Sequence, residues 1–240
     1  MLNAPFTHQE LIRHFLASMP PPSTVSAPRV ADRVNPLPHL QRAVEDLLVE
    51  LAARATTPWQ AWGPPLATVM GLRSGEIGLL RRDDLTLRNG CWFLRIRRGP
   101  AGALKDHRHR MIPVPAALKA AGFVRFARRS KTVALFPDLK RAANPGQPLD
   151  AWVRHRAKRT GQAALEGMTM TALRRACGRA LTLYGDDAAA TDVFLGRGPF
   201  AGLPTTKTRA NEDACASDRL IALVHRTRFP RLPALPNPDG

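Results

Sequence analysis

The dipeptide Asn89-Gly90 lies between two short apolar runs, Leu85-Thr86-Leu87 and Cys91-Trp92-Phe93-Leu94-Arg95-Ile96, in a chain that elsewhere spaces its apolar residues at helical intervals. Asn and Gly both tolerate the positive φ that a two-residue hairpin turn demands, so the pair predicts an antiparallel hairpin. A third β-like run, Met111-Ile112-Pro113-Val114, follows a Gly-rich break at residues 99–102. One small sheet inside a helical chain predicts an α+β fold, mostly α-helical with a small antiparallel β-sheet.

Residues 7–18 read as a short helix, ended by Pro20-Pro21-Pro22 and the Ser, Thr and Pro that follow. Residues 1–34 are therefore expected to be a short N-terminal helix with a Pro-rich linker, 35–229 the main domain, and 230–240 a flexible Pro-rich tail. Asn35-Pro36 marks a helix start, after which Leu40, Val44, Leu47, Leu48 and Leu51 form one apolar stripe. A second helix over 59–72 is expected to break or restart at Pro64-Pro65. Helical patterns return over 116–127, 150–163, 171–183, 187–195 and 218–226. In the last of these Leu220, Leu223 and Val224 form a stripe that must dock, in the ordinary case on its own domain.

Thirty-six Lys and Arg against nineteen Asp and Glu leave a net charge of +17 in 240 residues. The excess runs along most of the chain, which points to a polyanionic partner; a solvated basic surface is the plainer alternative. Composition alone does not choose among DNA, RNA and an acidic membrane. The three cysteines, Cys91, Cys177 and Cys215, have neither paired nor metal-type spacing. They fit a reducing compartment, and no metal site is expected. The amino terminus lacks signal-peptide order and no run reaches membrane-span length, so a cytoplasmic, nucleoid-associated protein is expected, with no membrane partner.

Four segments carry chemistry. Gly71-Leu72-Arg73-Ser74-Gly75-Glu76-Ile77-Gly78-Leu79-Leu80 leads into Asp83-Asp84-Leu85. Lys105 opens a basic turn through Arg108 and Arg110 to Met111-Ile112-Pro113-Val114. Thr171-Ala172-Leu173-Arg174-Arg175 comes next, and Leu195-Gly196-Arg197 closes the series. Their order over residues 41–208 resembles the tyrosine recombinases, the phage-integrase family. That family runs arginine, hairpin lysine, His-x-x-Arg, Leu-Gly-His, tyrosine.

The resemblance implies an integrase-like, DNA breaking-rejoining catalytic-domain fold and double-stranded DNA as partner, without a cofactor. It places Arg73 and Arg174 as the paired arginines and Lys105 as the proton donor to the leaving 5′ oxygen. Two guanidiniums suit a phosphorane-like state, because each is planar, forked and always charged. Glu76 takes the acidic position that helps fix the local fold. Arg97, Arg98, Arg108, Arg110, Arg156, Arg175 and Arg197 are expected to contact DNA phosphates, although basic runs of this kind can also be merely solvated.

The chain departs from the family where protons and the nucleophile are handled. Thr171, Arg175 and Arg197 stand at histidine positions, and arginine is a poor proton shuttle near neutral pH. The expected nucleophile position reads Pro204-Thr205-Thr206-Lys207-Thr208, and an aliphatic hydroxyl leaves far less readily than a phenol. Tyr184 is the chain's one tyrosine. It shares a stripe with Leu173, Cys177, Ala180 and Leu181, which points to the core. The DNA-clamping module that precedes this domain in the family is expected to be absent or reduced to the first few dozen residues.

The expected function is that of a DNA-binding, integrase-like protein of recombination, integration or mobile-element context, with strand cleavage lost or impaired. Two alternatives stay open: an active divergent recombinase using a non-standard nucleophile, and a regulatory or protein-interaction module on the same fold. Association as a homo-oligomer or with a partner recombinase is also left open.

Overall fold

The small sheet seats one face on a helical body, with Leu94, Ile96 and Ile112 in the core. The computed structural model describes residues 37–97, 110–161, 165, 167–197 and 210–235, all within a unit that begins at Leu37. In chain order the elements are α1 (Leu37–Arg54), α2 (Pro58–Met70), α3 (Ser74–Gly78), a 3-10 turn (Arg82–Asp84), β1 (Leu85–Arg88), β2 (Cys91–Ile96) and β3 (Arg110–Pro113). After them come α4 (Ala116–Ala120), α5 (Phe123–Arg129), α6 (Pro137–Lys140), α7 (Gln147–Arg159), α8 (Met170–Tyr184), α9 (Ala188–Leu195) and α10 (Ala210–Arg226). The fold is mostly helical with one three-stranded antiparallel sheet, ordered β1-β2-β3.

The hairpin closes at Asn89-Gly90, with φ of 46° and 75°, and Arg88 pairs with Cys91 across the turn. Two positive φ values in succession match the twist of the strands they join. Leu94, Ile96 and Ile112 turn into the core, while Phe93 is buried on the other face of the sheet.

Helix α2 lies at the centre, packed against α1, α7 and α8, and every residue from Ala61 to Met70 is buried. It runs unbroken through Pro64-Pro65, contrary to the expected break. Two interior prolines remove two ladder donors and cost about 3 kcal/mol each. Burial on all sides outweighs that cost, and Thr68 Oγ1 occupies the Pro64 carbonyl at 2.9 Å. Trp62, Phe123, Phe126 and Phe136 extend the core as a set of stacked and tilted rings.

Two further expectations change. The helix foreseen over 116–127 is two helices, α4 and α5, because Gly122 at φ 94° turns the chain between them. The tail foreseen from residue 230 does not begin there. Pro230 is buried, Leu232 and Leu235 pack against the core, and the Arg231 backbone N–H donates to Glu45 Oε1 at 2.9 Å. Helix α10 docks on α9, β3 and α8 through Leu220, Leu223 and Val224, the stripe read from its spacing.

Candidate nucleic-acid interface

Helix α2 ends at Gly71, which takes the left-handed conformation at φ 61° and sends the chain directly into Arg73 and α3. A Cβ on Gly71 would sit 2.5 Å from Leu195 Cδ2, so the turn is held tight against the end of α9. Glu76 then folds back, and its Oε2 accepts the Arg73 backbone N–H at 2.8 Å. Ser74 Oγ donates to Asp150 Oδ2 at 2.9 Å and fastens α3 to α7.

The Glu76 carboxylate is fully buried, with three arginines around it. Arg110 reaches it from β3 with Nη1 at 2.7 Å from Oε1 and Nη2 at 3.1 Å from Oε2. Arg73 Nη1 lies 3.6 Å from Oε1, and Arg174 Nη1 lies 3.8 Å from Oε2, brought in by α8. One carboxylate therefore faces three guanidiniums, and the cluster keeps an excess of positive charge. The Nη1 groups of Arg73 and Arg174 are buried without a hydrogen-bond partner among the described residues. Buried donors of that kind are rarely left unpaired, and two on the same carboxylate, one facing each oxygen, are the groups an added oxyanion would satisfy.

Arg174 is further fixed by donating from Nη2 to the Leu195 carbonyl at 2.5 Å. Burial, then the neighbouring Arg73, lowers its pKa to about 10, while Glu76 opposes the fall and Arg110 and Arg197 add to it. It remains a cation at neutral pH. The opening to solvent lies at Arg73, whose side chain is 32% exposed, and at the exposed Arg197. Burial pushes the thiol of Cys177 up to about 12, so this sulfur under Arg174 stays protonated and is no nucleophile.

The structure thus brings Arg73, Arg174, Arg110 and Arg197 to one place. Arg110 does so in a role other than the expected phosphate contact: its side chain is 2% exposed and Nε donates to the Phe194 carbonyl at 3.0 Å. Its guanidinium is occupied by protein. The alternation of β3 carries the signal that reveals this, since Arg110 shares the inward face with Ile112.

Arg97 stands apart, bonded to Asp84 through Nε and to Asp83 at 3.2 Å, so much of its charge is already paired. Arg156 is half-buried on α7, with Nε unpartnered among the described residues. Thr171 and Arg175 are exposed on α8. Tyr184 is half-buried rather than in the core, at the far end of α8, with the Arg228 guanidinium 5.9 Å from its ring centroid. Ten residues of helix put it about 15 Å along the axis from Arg174. Lys105, Arg98, Arg108 and the segment 204–208 lie outside the described residues. Among the described residues no His, Cys, Asp and Glu cluster could hold a metal ion, and no helix is long and apolar enough to cross a membrane.

No protein-family model and no curated protein matches this chain. Among solved structures, it is similar to the XerH site-specific recombinase bound to palindromic difH substrate in a post-cleavage complex, at 20% identity and a TM-score of 0.48. That match covers 72% of this chain and 50% of the other. The pre-cleavage complex of XerH with difH is similar at 19% identity and a TM-score of 0.44, over 72% of this chain and 51% of that one. The chain spans about half the length of the recombinase it matches.

Proposed function

We propose that this chain is an integrase-like protein that binds double-stranded DNA by its backbone, in a setting of DNA recombination, integration or mobile elements. The observation that carries this reading is the buried cluster of Arg73, Arg110 and Arg174 on the single carboxylate of Glu76, in which one guanidinium donor each of Arg73 and Arg174 has no hydrogen-bond partner among the described residues. A phosphodiester supplies the missing negative charge and accepts both donors. Arg73 and Arg174 hold the phosphate, Arg110 neutralises and positions Glu76, and Arg197 adds charge at the mouth.

Strand cleavage is impaired in this reading. Threonine and arginine stand where the tyrosine recombinases place proton-shuttling histidines, and Tyr184 sits about 15 Å along α8 from Arg174. Fluorescence anisotropy with a short duplex tests the binding. Log affinity should fall linearly with log salt, by about 0.9 for each phosphate neutralised, and Arg73→Ala should weaken binding and flatten that slope. Affinity that is flat across moderate salt overturns the reading. A nicked suicide duplex tests the chemistry: no covalent adduct is expected, and one abolished by Tyr184→Phe would restore the enzyme.

A further inference from the structure

Beside the buried cluster, the outer face of α8 forms an open groove lined by Arg175, Gly178, Arg179, Thr182, Leu183 and Arg197. Arg175 and Arg179 are exposed and one step of four apart, about 6 Å along the helix. Arg197 comes across from the end of α9. Its guanidinium lies close over Gly178, where a Cβ would stand 3.4 Å from Arg197 Nη2 and 3.3 Å from Leu195 Cδ1.

None of the three arginines has a carboxylate within ion-pair distance among the described residues. On other parts of the surface Arg97 and Arg219 are held by aspartates. Arg197 is also close enough to Arg174 to help lower its pKa, so it connects the groove to the buried cluster.

We infer that this groove is a second backbone-phosphate site, which holds phosphates flanking the one taken by Arg73 and Arg174. The inference rests on the DNA-binding reading above and extends it to Arg179 and Thr182, neither of which any family position singles out. A DNA strand offers one phosphate per about 3.4 Å of duplex axis, so two arginines about 6 Å apart reach separate phosphates of one strand. Arg197 bridges the two sites, and Thr182 supplies a hydroxyl for a phosphate oxygen.

The test compares salt-dependent affinity for one short duplex among wild type, an Arg175→Ala, Arg179→Ala double variant, and Arg73→Ala. Both groove arginines are exposed, so the double variant should keep the wild-type circular dichroism and melting point. Its log affinity against log salt should be shallower than wild type by about 1.8, the loss of two phosphate contacts. A slope equal to wild type in a folded double variant overturns the inference and leaves the groove to another anionic partner, such as an acidic protein surface. The two failures separate cleanly. If wild type does not bind the duplex at all, the DNA-binding reading falls; if Arg73→Ala flattens the slope and the double variant does not, only the groove falls.

Discussion

Glu76 is the residue on which the site depends, because it offsets three guanidiniums and also closes the turn into α3. Removing one partner of a buried charge set costs about 3–5 kcal/mol, since the remaining charges stay buried and unpaired. Glu76→Gln should therefore lower stability by that order, read as a fall in urea midpoint, and a loss below about 1 kcal/mol would mean the arginines relax to solvent. Gly196 offers a finer probe. Its φ is 63° and a Cβ there would stand 2.7 Å from Arg110 Nη1, whereas Gly90, at φ 75°, has nothing within 4 Å of its would-be Cβ. Both alanine variants carry the left-handed backbone cost of about 1–2 kcal/mol. Only Gly196→Ala also displaces Arg110, so it should be the more destabilising of the two by urea titration; equal losses would show that Arg110 yields freely. At this scale the sequence made Arg73 and Arg174 legible through their motifs. Arg110 was obscured because a basic turn reads as a surface until the inward alignment with Ile112 is noticed.

Helices α9 and α10 show how local signals and packing divide the work. Asp187 caps α9, with Oδ1 accepting the Ala190 N–H at 2.8 Å, and it also takes a two-pronged contact from Arg219 of α10 at 2.6 and 2.7 Å. The Arg219 hydrogen bond, then the Ala190 N–H, holds its carboxyl below the ordinary 3.8. A depressed carboxyl stabilises the fold fully above its unfolded pKa and loses that contribution as pH falls through the folded value. Asp187→Asn keeps a good cap and removes the charge. At pH 7 it should cost about 0.2–1 kcal/mol, and the gap from wild type should close as pH drops below 3.8. A gap that persists in acid would assign the loss to the cap. Elements with a local signature were readable here: the Asn89-Gly90 hairpin, the α1 stripe and the α10 stripe. Those decided by distant packing were not. Pro64-Pro65 reads as a break because the burial that overrides it comes from α1, α7 and α8, and Pro230 to Leu235 reads as tail because its partners lie on α1 and the core.

At the scale of the whole molecule, a net charge of +17 sets stability and binding against each other. Self-repulsion among like charges disfavours the compact state, and salt with a Debye length near 8 Å at physiological strength weakens that repulsion. Relief on the order of 1 kcal/mol raises the melting temperature of a domain this size by about 2–4 °C. Adding sodium chloride to the free protein should therefore raise its melting temperature. Adding salt to the protein–DNA complex should do the reverse, because stabilisation by a ligand scales with its affinity and that affinity falls as counterions compete. Melting curves with and without duplex, across a salt series, should converge as salt rises, with the free protein climbing towards the complex as the complex falls. If both curves moved upward together, the charge would be a property of the surface alone, and the unpartnered donors of Arg73 and Arg174 would not be what the duplex engages.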